Sequence, residues 1–278
     1  MSELVQRWKG HTRALVREVR DDRAGSGAAA LAFYLVLAIF PAAIFGLSLL
    51  PYLPIPHLES AVLDLIHDAL PAAAADLFTG TVQSVLSERR GGLLSFGLVL
   101  ALWSASNGLH AIMKQLNVVY GVEDERSFFR ARAVALALTV TFFLLVVSAL
   151  GLVIFSGVLQ DWLGEALGVS SVLLGAFALV RWVIIVLAIQ LAFSIVYWAG
   201  PAHQAKYGFL RAGPAFATAS LCLASVGFKL YVSHFATYDA VYGSLGAVIV
   251  LLLWLYVTGW VILLGGEIDG LSRKAERQ

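Results

Sequence analysis

Six stretches of this chain run for about 20 residues or more with at most two charged side chains in each: residues 27–50, 92–113, 133–159, 171–199, 208–233 and 244–266. No other feature restricts the fold as strongly. A helix rises ~1.5 Å per residue, so each stretch is long enough to cross a hydrocarbon layer ~30 Å thick. Of the 278 residues, 60% are hydrophobic and 13% charged, and a water-soluble fold has too little interior to hide that much apolar surface. The mean hydropathy of +0.84 agrees. A transmembrane β-barrel is built from short alternating segments of ~10 residues, whereas these runs are continuous. The expected fold is all-α, a polytopic bundle of six transmembrane helices.

Lys and Arg are distributed unevenly between the connections, which is the signal that orients such chains. Residues 1–27 carry six, 113–132 four, 200–212 two, and the stretch after 266 three. The opposite connections carry only Arg89 and Arg90, both in 51–91. Both termini are therefore expected in the cytoplasm. The net charge of +1 says nothing about partners. The lone cysteine, Cys222, lies in an apolar run and excludes an intrachain disulfide. No apolar segment with a cleavage site precedes the first span, which is expected to stay in the membrane as an anchor.

Three regions flank or join the spans. Residues 1–26 are expected to form a basic amphipathic helix, with Leu4, Trp8, Leu15 and Val19 on one face and Arg13, Arg17 and Arg20 on another. That pattern suits an anionic membrane surface or, alternatively, a solvated arm. Residues 51–91 hold two amphipathic segments, expected as an exoplasmic helical hairpin. Asp64, His67 and Asp68 share a face there, which reads as a wetted surface because no further metal ligands accompany them. Residues 267–278 form a cytoplasmic tail.

The stretches AAALAFYLVLAIFPAAIF, LWSASNGLHAIMKQLNVVYGVEDERSFFRARAVAL and YGSLGAVIVLLLWLYVTGWVILLGGEID resemble the YihY/BrkB family of bacterial inner-membrane proteins, once labelled "ribonuclease BN". The likeness covers nearly the whole chain. It implies a six-helix bundle in the inner (plasma) membrane and no settled activity, with transport and export of envelope lipid or lipopolysaccharide among the roles suggested for the family. The residues argue against the nuclease label. The six histidines are scattered, no run of His and Asp has metal-ligand spacing, and no loop offers a basic, aromatic-interleaved surface for RNA.

Polar side chains inside the spans are costly and usually turn toward the bundle interior or a wet cavity. Ser104, Asn107, Gly108, Ala111 and Gln115 form one stripe on the second span. Such a stripe either packs helices or lines a cavity. Arg181 in the fourth span either pairs with a carboxylate such as Asp161 or Glu165, or seats an anionic substrate group. Lys229 in the fifth either snorkels outward toward Asp239 or shares that role. In GGEID, Glu267 follows Tyr256, Trp260 and Leu263 on one face, and either pairs with Arg130 or Arg132 or serves gating or proton coupling. Pro41 and Pro214 are candidate kinks. Spans two and six share LW-x4-G, a weak hint of an internal repeat.

The expected function is that of a transporter or flippase-like protein for an anionic lipid, glycolipid or other amphipathic anion. Arg181, Lys229, Ser104, Asn107 and Gln115 would bind the substrate, and Glu267 would gate or couple. The expectation includes no enzyme activity, no cofactor, no metal and no nucleic-acid partner; the partners are membrane lipids. No Walker A pattern occurs. The alternative is a scaffold or assembly partner for envelope-biogenesis proteins.

Overall fold

A computed structural model describes residues 19–20, 22, 24–49, 91–167, 171–202, 207–235 and 239–276. Most of the basic N-terminal segment and the whole 51–90 connection lie outside the described residues, so the expected surface helix and hairpin do too. Six helices make up the rest: α1 (Ala24–Leu49), α2 (Gly91–Val119), α3 (Phe128–Leu167), α4 (Ser171–Ala199), α5 (Ala212–Phe235) and α6 (Asp239–Glu276). Five contain segments long and apolar enough to cross a membrane, and the described part of α1 adds the shorter apolar run Ala24–Ile39. The chain is a multi-pass all-helical membrane protein. Three helices outrun the expected spans: α2 ends at Val119, α3 begins at Phe128, and α6 continues through the expected tail to Glu276.

Local chemistry sets several of these ends. After Val119 the Gly121 φ of 62° places the chain in the left-handed region, where glycine carries no Cβ penalty. The Val122 amide donates to the Asn117 carbonyl and the Gly121 amide to the Val118 carbonyl, the paired bonds of a Schellman cap. Ser127 then caps α3, its Oγ accepting from the Arg130 amide at 3.4 Å. Pro214 is not a mid-helix break, because α5 starts at Ala212 and the proline sits in the first turn, where its missing N–H has no intrahelical acceptor to lose. Pro41 does lie within α1, and the helix continues through it.

Consecutive helices pack side by side, and α6 closes the circuit against α1 while also touching α2 and α4. Glycines of α6 stand at its close approaches to all four neighbouring helices. A Cβ on Gly259 would reach 2.9 Å from the Ala28 carbonyl oxygen of α1, and one on Gly266 would reach 2.9 Å from Leu116 Cδ2 of α2. One on Gly265 would collide with the Tyr197 hydroxyl and with Ala217. Small residues at such crossings let backbones approach where lipid gives no hydrophobic drive for association.

The alternation of helix directions brings the starts of α1, α3 and α5 and the ends of α2, α4 and α6 to one end, with Lys114, Arg126, Arg130, Arg132, Arg211 and Arg273 among its described residues. The buried core concentrates there, around Leu31, Met113, Leu116, Ala135, Tyr197 and Leu263. Exposed Phe128, Phe129, Trp198 and Tyr207 ring this basic end, as aromatic side chains do at a membrane–water boundary. Farther along α4, Leu179, Val180, Trp182, Val183, Ile184, Val186 and Leu187 are exposed. At ~100° per residue they cover more than half of the helix circumference, a surface suited to lipid.

Candidate functional site

The centre of the basic end is Asp269, whose side chain has no solvent exposure. Its Oδ1 accepts from Arg211 Nε at 3.1 Å; its Oδ2 accepts from Arg273 Nε at 2.6 Å and from the Tyr120 hydroxyl at 2.8 Å. Three elements converge on one carboxylate: the end of α2, the entry to α5, and α6 itself. Arg273 extends the network to α4 by donating to the Tyr197 carbonyl at 3.3 Å, and the Tyr197 hydroxyl returns to α6 through the Ile262 carbonyl at 2.7 Å. Burial, and then the charge of Asp269, hold the Tyr120 hydroxyl well above its ordinary pKa, so it acts as a neutral donor. The sequence explains the close fit. A Cβ on Gly213 would strike Asp269 Cβ and come within 2.5 Å of the Gly265 carbonyl oxygen, so only glycine lets the start of α5 lie against α6 here.

A second polar assembly joins the loop after α2 to the loop after α4. Asn117 Nδ2 donates to Asp124 Oδ2 at 3.0 Å, and Asn117 Oδ1 accepts from the Ala202 amide at 2.7 Å. Arg126 grips Asp124 with Nε and Nη2 at 2.8 and 3.0 Å and also reaches the Gly200 carbonyl at 3.0 Å. The Arg126 guanidinium holds the Asp124 carboxyl below the usual carboxylate range. Between α4 and α5, Gln190 donates to the Phe209 carbonyl at 2.6 Å and accepts from Thr218 Oγ1 at 2.7 Å.

The expected site residues do not gather in one place. Gln115 and Gly108 face α1: a Cβ on Gly27 would come 2.6 Å from Gln115 Oε1, and Gly108 lies against Leu35 and the Tyr34 carbonyl. Ser104 is half-buried. Asn107 Oδ1 accepts from Arg132 Nη1 at 2.7 Å, so this guanidinium is directed to α2. Glu267 is fully buried. Two residues turn a helix by ~200°, which sets Glu267 and Asp269 on opposite sides of α6. The Glu267 face is that of Tyr256 and Trp260, which pack on Gly25 of α1.

Arg181 is half-buried and shares the sheltered stripe of α4 with Ile185 and Ala188. The side chains of Asp161, Glu165 and Asp239, named above as partners for the two cations, lie outside the described residues. Lys229 is exposed, on the α5 face that also carries Thr218, Cys222 and Ser225. Arg181 stands about half a turn around α4 from Gln190, whereas Lys229 follows the Thr218 face that bonds Gln190. The two cations therefore do not face each other across the α4–α5 contact. Among the described residues no three His, Cys, Asp or Glu side chains are grouped as metal ligands.

Sequence reasoning passed over Asp269, Tyr120, Arg211, Arg273, Asn117, Asp124, Arg126 and Gln190. A signal existed for Asp269, since it follows the glycine pair within GGEID. Arg273 is a local partner one turn on, at i+4, but Arg211 and Tyr120 come from 58 and 149 positions away, and nothing local marks them.

The comparisons with known proteins agree with this architecture. The family profile described as Virulence factor BrkB matches residues 15–278. A Bacillus subtilis protein named "Putative ribonuclease-like protein YfkH" is 39% identical over 252 residues, covering 91% of this chain and 91% of that protein. A UPF0761 membrane protein of Vibrio parahaemolyticus is 26% identical over 281 residues, covering 99% of this chain and 86% of the relative. One of Alkalilimnicola ehrlichii is 29% identical over 254 residues, 89% of this chain, which spans only about half (55%) of that relative's length. No solved structure matches.

Proposed function

The chain belongs to the virulence factor BrkB family, and from that premise we propose that it is an inner-membrane transporter or flippase-like protein for an anionic lipid, glycolipid or other amphipathic anion. The observation that carries this reading is the height of its two intramembrane cations above a cross-braced base. Lys229 stands ~26 Å along α5 from Ala212, and Arg181 ~27 Å along α4 from Ala199. Both lie in the half of their spans away from the basic end, where a cation on a lipid-crossing helix is stabilised by a phosphate or carboxylate. Below them the Gln190–Thr218 bond joins α4 to α5, and beyond it the Thr218 face of α5 becomes exposed at Ser225 and Lys229. A headgroup would enter at Lys229, with Arg181 adding field from the other side of α4. Ser104, Asn107 and Gln115 would line the path only after α1 and α3 draw back from α2. Glu267, sealed in the base, would gate or couple that movement.

Transfer of labelled phosphatidylglycerol between leaflets of reconstituted liposomes tests the proposal. The wild type is expected to exceed empty liposomes, and Lys229→Ala and Arg181→Ala each to slow transfer about fivefold, as for loss of one cation near an anionic headgroup. A wild type no faster than empty liposomes, or two variants as fast as the wild type, removes the mechanism. One observation favours a second reading, a non-transporting scaffold for envelope-biogenesis proteins: Gly108 and Gln115 pack on α1 instead of bordering open space. On that reading both variants leave lipid distribution unchanged.

A further inference from the structure

A second face of α2 carries a different set of groups. Trp103, Asn107, His110 and Lys114 recur at i, i+4, i+7 and i+11, on one side of the helix. Arg132, one turn into α3, lies over them. Its guanidinium carbon is 4.1 Å from the centre of the Trp103 ring, Nη1 bonds Asn107, and Nη2 is 3.4 Å from the Trp103 carbonyl. Arg132 Nε is buried without an acceptor, and His110 Nδ1 is buried without a partner. Lys114 is exposed at the basic end of the same face, and both it and Arg132 are close enough to act electrostatically on His110. Asp124, the acidic group that acts on His110, already gives its oxygens to Arg126 and Asn117. Among the described residues, neither Arg132 nor Lys114 is paired with a carboxylate.

A guanidinium held on an aromatic face, with no paired carboxylate among the described residues, is arranged to receive an anion. The surroundings decide which kind. Away from the basic end the same α2 face continues with Val99 and Phe96, and Trp103, Val99 and Phe96 are 58%, 68% and 63% exposed. On α3, Leu136 follows Arg132 by one turn and is also exposed. A free phosphate has no use for this apolar wall, whereas an acyl chain does. We propose that the groove between α2 and α3 binds an anionic phospholipid. Its phosphate rests on Arg132 and Lys114, and a chain lies along Trp103, Val99 and Phe96. This site is on different helices from Lys229 and Arg181, and it requires no transport.

Equilibrium quenching of Trp103 by brominated-chain lipids in nanodiscs tests the site in the full chain. The Trp103 signal is taken as the difference between wild type and Trp103→Phe, because the chain has seven tryptophans. Brominated phosphatidylglycerol is expected to occupy the groove in preference to brominated phosphatidylcholine. Arg132→Gln and Lys114→Gln should each reduce that preference about fivefold, and soluble glycerol phosphate should leave it unchanged. Lys114→Gln, at an exposed position, keeps the test decisive if Arg132→Gln does not fold. Equal quenching by the two lipids overturns the proposal, as does an unchanged preference in Lys114→Gln. Displacement by glycerol phosphate overturns the assignment to a lipid. The readout is binding at equilibrium, so a protein that moves no lipid between leaflets still reports on it.

Discussion

Asp269 shows how much one side chain can hold in a membrane bundle. A carboxylate with no exposure is costly to bury, and here two guanidinium groups and a phenol offset that cost. Asp269→Asn keeps the shape and removes the charge, leaving Arg211 and Arg273 beside one another with no anion between them. We expect a loss of about 3–5 kcal/mol, the range for a buried pair that loses one partner, measured as a lowered unfolding midpoint in detergent. Tyr120→Phe deletes one hydroxyl from the same oxygen and should cost less, about 1–2 kcal/mol. If the two variants unfold together with the wild type, Asp269 does not brace the bundle. Glu267, two residues earlier and equally buried, belongs to the opposite face of α6 and should leave the Arg211 and Arg273 bonds intact when replaced by Gln.

At the scale of elements, the loops at the basic end are tied to each other as firmly as the helices are packed. The 120–127 connection begins with a Schellman cap, turns through Asp124 and Arg126, and bonds the 200–202 turn through Asn117 and Arg126. Asp124 makes this tie sensitive to acid. Arg126 depresses its pKa in the fold, so the tie contributes fully above the ordinary carboxyl value of 3.8 and is lost as pH falls through the lowered one. Hydrogen exchange at the Arg126 and Ala202 amides is expected to stay slow from pH 7 to about pH 5 and to quicken only below the ordinary carboxyl range. Asp124→Asn should quicken it already at pH 7. Exchange that is equally fast in both proteins at neutral pH would show that the loops are held by something else.

For the whole molecule, an alternating set of six helices returns the chain to the end from which it started. The first helix and the last meet there, through Gly25 against Trp260 and Gly27 against Leu263. This is also the end to which the sequence count assigns fifteen of the nineteen Lys and Arg residues, and we expect it in the cytoplasm. A fluorescent-protein fusion after Gln278 should therefore fluoresce, and an alkaline phosphatase fusion at the same place should be inactive. The reverse pair of results would turn the bundle over.

Taken alone, the amino-acid order determined that the chain crosses a membrane as helices. Apolar length is a local property, and burying a backbone in hydrocarbon permits few other solutions. The order also identified which side chains are expensive at membrane depth: Arg181, Lys229, Asn107 and Glu267. It did not reveal where each one points. A stripe such as Ser104, Asn107, Gly108 and Gln115 looks the same whether it meets water or another helix, and only the tertiary structure turned Gly108 and Gln115 onto α1 and Asn107 onto Arg132. The same limit applied to Asp269, two of whose three partners come from the end of α2 and from the entry to α5. The energy of a buried charge depends on distances between residues far apart in sequence, and folding alone sets those distances.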